Sequence, residues 1–238
     1  MTNNKEETIY EKEPITQPFW GFWLSLLFQT AVIIAVPAQS LYTQINGKKV
    51  ILQTAPTDPY ELLQGYAPDI RYDISNQDRL RNLPGWQDLP KQLGYQSEKS
   101  FIKPGTIFYV ILAEPISPTL PGLPEAWKPV AVSLKPPVKL KSDSKASKEQ
   151  SEERVILKGL AQKDSIQYGL ETYKIPEAQQ ELLNKDLRVA RKANPTKPQQ
   201  PPSIVVEIKV DEGGNANARA LWAQFGEVSP QEVRSYGF

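Results

Sequence analysis

The 238-residue chain carries 28 Lys and Arg against 27 Asp and Glu, and this net charge of +1 gives no electrostatic case for nucleic acid or a strongly anionic partner. It has neither cysteine nor histidine, which excludes disulfides, thiolate chemistry, His-based zinc sites, Ser-His-Asp triads and Cys-His pairs. The length leaves enough for one sizeable core once a tail and an anchor are set aside, and the 22 prolines cluster in connectors.

Residues 1–18 are polar and short of core material, and they predict a flexible tail. Residues 19–38 (FWGFWLSLLFQTAVIIAVPA) form an apolar run inside a window, 14–47, that holds no charged side chain. At about 1.5 Å per helical residue the run reaches roughly 30 Å, the thickness of a bilayer hydrocarbon core, so it predicts one transmembrane anchor. Phe19, Trp20, Phe22 and Trp23 at one end and Tyr42 beyond the other match the aromatic belts of a span. Pro37 sits near the exit, where a lost hydrogen bond costs least. A soluble core helix of this length without a charged face is unusual.

A cleaved signal peptide is the rival reading, because Val36-Pro37-Ala38 before Gln39 offers small residues where a signal peptidase reads. Against it, the leader holds Lys5 and Lys12 among Glu6, Glu7, Glu11 and Glu13, in place of a compact positive region. Charge does not orient the span: Lys5 and Lys12 on one side balance Lys48 and Lys49 on the other. Gly21, Ser25 and Gln29 recur every fourth residue and share one helical stripe, with Gln29 near mid-bilayer. A lone amide is costly in hydrocarbon and small residues let a second helix approach, so the stripe points to an integral membrane protein as partner. A plain anchor tolerating one Ser and one Gln is the alternative.

Beyond the anchor, residues 40–53 read as two apolar-rich runs joined by Asn46-Gly47, the dipeptide of a type I′ turn, and predict a β-hairpin. Asp58-Pro59 opens a helical turn that Gly65 ends, and Ile70, Tyr72 and Ile74 alternate as one face of a strand. In the polar region 76–103, Trp86 is read as a core ring before a partner contact. After the turn Lys103-Pro104-Gly105, residues 106–114 (TIFYVILAE) predict a central strand. Pro115, Pro118, Pro121 and Pro124 mark a loop, and alternation resumes over 127–134.

Residues 136–154 are rich in lysine, serine and glutamate and lack aromatics, and they predict a mobile loop. Segments 155–162, 165–168 and 171–174 read as an antiparallel meander. Pro176 and Glu177 open a helix running to about Arg191, with Leu183, Leu187 and Ala190 as its apolar stripe. A proline-rich link at 194–202 leads to strand 204–210, the turn Gly213-Gly214-Asn215 and a returning strand at 216–225. Ser229-Pro230-Gln231-Glu232 is a capping box for a last helical turn.

The acids and bases left for chemistry are Asp, Glu, Lys, Arg and Tyr. Glu171 and Glu177 are candidates for paired carboxylates, but no local spacing enforces the pair, and with Tyr168 they equally suit a turn and a helix start. Asp211, Glu212 and Gly213 are too few for a calcium loop, and no glycine-rich phosphate loop or dinucleotide fingerprint is present. No catalytic residue, metal or cofactor is therefore expected.

The stretch Gly65-Tyr66-Ala67-Pro68-Asp69-Ile70-Arg71-Tyr72, after Thr57-Asp58-Pro59, resembles the signature of the GDYXXLXY family. Gly65 and Tyr72 match and Ile70 replaces Leu, while Tyr66 and Ala67 stand where the family has Asp and Tyr. A second block, Tyr168-Gly169-Leu170-Glu171-Thr172-Tyr173 before Pro176-Glu177, is similar to the family's YGxExY and PE pattern, and Leu157-Lys158-Gly159 resembles the strand ahead of it. The resemblance implies an N-terminal anchor and an extracytoplasmic β-rich domain, often encoded beside polytopic membrane proteins, with no established reaction.

The sequence thus predicts an α+β chain, mostly antiparallel β with one peripheral helix, preceded by a single transmembrane helix; the domain occupies 40–238. Its expected role is that of a membrane-anchored accessory or interaction domain, partnered by the bilayer and an integral membrane protein. Helix contact is assigned to Gly21, Ser25 and Gln29. The alternative is an envelope enzyme or small-ligand binder using Tyr72, Tyr168, Glu171 and Glu177.

Overall fold

A computed structural model describes residues 19–55, 70–94, 97–115, 122–137, 153–172, 176–193, 203–224 and 233–237. The tail, the helical turn at 58–65, the motif residues 65–69, most of the 136–154 loop, the 194–202 link and the capping box at 229–232 lie outside the described residues. The chain divides into two compact units, Met1–Ser40 and Leu41–Phe238.

The first unit contributes most of helix α1, Phe19–Asn46. Between Trp20 and Ile34 its large apolar side chains are exposed, and the helix is long and apolar enough to cross a membrane. The hydroxyls of Ser25 and Thr30 donate to the carbonyls of Gly21 (3.1 Å) and Leu26 (2.8 Å), so neither needs an outside partner.

The second unit is mostly antiparallel β. Its first sheet has the order β1–β8–β9–β10, with β1 Lys48–Gln53, β8 Ser203–Val210, β9 Ala216–Gln224 and β10 Val233–Gly237. The second sheet has the order β5–β4–β6–β7, with β4 Ile107–Ala113, β5 Lys128–Ser133, β6 Arg154–Ala161 and β7 Ile166–Gln167. A separate hairpin joins β2 Lys91–Gly94 to β3 Ser97–Ile102. Val50, Leu52, Val206, Ile208 and Leu221 from the first sheet and Phe108, Val110, Leu112 and Leu157 from the second share one buried core. Two-residue alternation turns these side chains inward together.

Connections lock the layers. Lys158 N–H donates to Gly214 O (2.9 Å), tying β6 to the β8–β9 turn, and Lys48 pairs with Glu153. The buried Gln77 amide, on the short helix α2 Gln77–Leu80, accepts from Ile102 N–H (2.8 Å) and donates to Gln162 O (3.3 Å). Trp86 is buried, with the Arg81 and Lys91 side chains each 6.0 Å from its ring centre. Helix α3, Glu177–Ala193, buries Leu183, and its Asp186 accepts from Tyr236 Oη (2.7 Å) and pairs with Arg234. Pro176 supplies the first helical carbonyl, accepting from Gln179 and Gln180 N–H.

Three predicted elements differ. Residues 40–46 are helix, not the first arm of a hairpin, and β1 pairs with β8 instead. The reason is tertiary: buried Thr43 donates to Asp211 Oδ2 (2.8 Å), and Gly47 N–H closes a last helical bond to Thr43 O (2.9 Å). A Cβ on Gly47 would fall 2.2 Å from Thr43 O, so the glycine serves close packing rather than a turn. Ile70, Tyr72 and Ile74 are all buried as alternation requires, yet among the described residues only Tyr72 forms a β-bridge, to Thr54, and Asp73–Ser75 is a 3-10 turn. Of the strand expected at 171–174, Glu171 is a bend and Thr172 an isolated bridge, and the remainder lies outside the described residues.

Candidate functional site

The two stretches that carry the sequence motifs meet. Ile70 N–H donates to Glu171 O (2.7 Å), the Tyr72 hydroxyl donates to Leu170 O (2.8 Å), and the Tyr168 hydroxyl donates to Ile74 O (2.8 Å). These residues are 94 to 98 positions apart in the chain for the two tyrosine bonds, so they join distant segments. Each ring is buried and each hydroxyl reaches the backbone carbonyl of a buried residue.

Glycines shape the surroundings of the second tyrosine. At Gly159 on β6 a Cβ would lie 3.1 Å from Tyr168 Cε1 and 2.9 Å from Ile166 Cγ2, so the bare backbone makes room for the ring. Gly169 turns the chain at φ +74°, a region that side chains disfavour. Inside that turn Tyr168 N–H donates to Glu171 Oε1 (2.6 Å), so this carboxylate closes its own loop. Burial, and after it the Glu171 charge, push the Tyr168 phenol well above its ordinary range and hold it as a donor.

Glu177 stands in the first turn of α3 and is exposed, where a carboxylate favours the helix dipole. Gly21, Ser25 and Gln29 are exposed on α1. Among the described residues, no three or more Asp and Glu side chains gather as a metal site would require.

Asp211 plays a part that sequence reading missed. Its carboxylate accepts from Thr43, from the amides of Gly213 and Asn215 (both 2.9 Å) and from the Asn215 side chain. Burial pushes its pKa up, but the hydrogen bonds from Asn215, Thr43 and Gly213 outweigh this and hold it below the usual carboxylate range. The signal was an Asp two residues before a glycine pair, the pattern of an Asx turn. Gln77 carried no such signal, because its partners Ile102 and Gln162 are remote in sequence.

The family model described as GDYXXLXY protein matches residues 29–221, most of the chain. Neither the curated proteins nor the solved structures give a match.

Proposed function

This chain belongs to the GDYXXLXY family, and from that premise we propose that it is a single-pass membrane protein whose strand-built domain is a non-enzymatic accessory module for an integral membrane protein. The observation that carries this reading is α1: 28 residues without a charge, its apolar side chains exposed from Trp20 to Ile34. Such a surface is stable only in lipid or against another apolar body. The family's pairing of an N-terminal anchor with an outward β-rich domain supports an extracytoplasmic location.

Contact with the partner runs through Gly21, Ser25 and Gln29. Ser25 is satisfied by its own helix, which leaves the Gln29 amide as the group with most to gain from a neighbouring helix. The alternative of a ligand binder or envelope enzyme requires Tyr72, Tyr168 and Glu171 to be available to a guest. All three make hydrogen bonds within the fold.

The absence of native cysteine makes the test direct, since one introduced thiol reports one position. Cells expressing Lys103→Cys are treated with a membrane-impermeant maleimide, and membranes are then washed with carbonate. Labelling of intact cells with the protein retained in the membrane is the expected result. Labelling only after permeabilisation, or soluble protein beginning at Gln39, overturns the topology or the anchor respectively. Loss of a co-purifying membrane protein on Gln29→Leu is the outcome expected for the partner, and unchanged co-purification removes the stripe from the account.

A further inference from the structure

The outer face of the first sheet carries a groove of about 480 Å³ whose shape follows from its register. One cross-strand row holds Lys49, Lys209 and Asn217, and another holds Gln53, Val205, Trp222 and Ser235. The row between them ends in Ala220 and Gly237, which are too small to fill the space beside Trp222. Pairing shifts between Glu207 and Ile208, so Arg219 is an extra residue on β9, and it reaches Glu207 on this same face. Bulges re-aim side chains in this way and are frequent beside functional sites.

Glu207, only 8% exposed, organises the polar groups. It pairs with Lys49 Nζ at 3.1 Å and Arg219 Nε at 3.8 Å, and it accepts from Trp222 Nε1 at 3.2 Å. The Lys49 ammonium also lies 6.0 Å from the Trp222 ring centre. Lys209 meets no carboxylate among the described residues, and the Arg219 side chain is exposed. Among the described residues three cations thus face one carboxylate, and that carboxylate fixes two of them in place.

We propose that this groove binds the phosphate headgroup of an anionic phospholipid. An arginine fork and two ammonium groups suit phosphate oxygens, and an indole beside them suits the wet edge of a bilayer. A zwitterionic headgroup would bring its own cation towards three others. The proposal rests on the anchor reading, because Gln44, which lines the groove, lies six residues beyond Ala38. Chain length alone keeps those two positions within about 20 Å, so headgroups are always close. The net charge of +1 conceals this because it averages the groove with acids placed elsewhere.

The test uses the full chain in an uncharged maltoside detergent, with bound lipid counted by native mass spectrometry. Phosphatidylglycerol, phosphatidylcholine and inorganic phosphate are added in separate arms, and circular dichroism confirms folding. The wild type is expected to retain phosphatidylglycerol over phosphatidylcholine. Lys209→Gln with Arg219→Gln should weaken that retention by about thirtyfold, and Arg219→Gln alone, at an exposed bulge, by about fivefold. A control, Lys103→Gln with Lys135→Gln, removes the same charge elsewhere and should leave it unchanged.

Equal retention of both lipids, or equal loss in the control, overturns the proposal. Displacement of phosphatidylglycerol by inorganic phosphate overturns the lipid source and makes free phosphate the ligand. Protein that resists a carbonate wash yet shows no lipid preference sinks the groove alone, whereas protein released by the wash sinks the anchor reading.

Discussion

Tyr72 and Tyr168 make reciprocal bonds: the first hydroxyl donates to Leu170 O beside Tyr168, and the second donates to Ile74 O beside Tyr72, both at 2.8 Å. Each tyrosine thereby fastens the segment that carries the other. Tyr72→Phe and Tyr168→Phe should each destabilise the domain by about 1–3 kcal/mol, because each strands a buried carbonyl. Their joint effect should differ from the sum, since both act on one seam. Urea unfolding of the full chain in neutral detergent, followed by tryptophan fluorescence, checks this. Unchanged midpoints in both variants would show that the seam does not depend on these bonds.

The Tyr168 phenol also sets a limit at alkaline pH. Its folded pKa is raised, so its contribution is whole below the unfolded value of about 10 and is lost as pH climbs through the folded value. Tyr236 shifts the same way, through burial and then its bond to and charge from Asp186, so two groups add to the loss. Wild-type stability should decline above about pH 10, and Tyr168→Phe should decline less steeply although it begins lower. Unfolding midpoints between neutral pH and pH 11 make the comparison, and parallel curves would count against it.

The strand at 106–114 was legible because its continuous apolar run of β-branched and aromatic residues suits a strand inside a sheet, and Phe108, Val110 and Leu112 are buried. The seam between motif blocks was legible only as two stretches that resemble one family's motifs, since the sequence does not say that Tyr72 reaches Leu170. The Asn46-Gly47 turn was misread because the local preference for a hairpin is overridden by the bond from Thr43 to Asp211, 168 residues further on. The groove around Glu207 was invisible for a similar reason: its rows exist only once four strands are in register and β9 bulges at Arg219.

The contact that overrides the hairpin gives an acid-side prediction. Thr43→Val removes a bond to a carboxylate and should cost about 1.5–3 kcal/mol near neutral pH. Asp211 has a depressed folded pKa, so its contribution is present above the unfolded value of about 3.9 and lost as pH falls through the folded one. The stability gap between wild type and Asp211→Asn should therefore narrow below about pH 4. A gap that stays constant from pH 7 to pH 3 would show that the charge of Asp211 contributes nothing.

Gly159 tests the packing behind the seam. An added methyl would sit 2.9 Å from Ile166 Cγ2, 3.1 Å from Tyr168 Cε1 and 3.6 Å from Phe108 Cε1, all in the closed interior. Gly159→Ala should cost about 1–3 kcal/mol by overpacking, and the displaced ring should weaken the Tyr168 bond to Ile74. Ile166→Ala removes the nearest obstacle, so the double variant should be more stable than the two single losses predict. Gly169→Ala differs in kind: nothing lies within 4 Å of its Cβ, and its penalty comes from φ +74°. That strain should cost about 1–2 kcal/mol and be indifferent to Ile166→Ala. Unfolding free energies of the three single and two double variants decide the matter, and strict additivity at Gly159 would mean that the interior yields freely to the extra methyl.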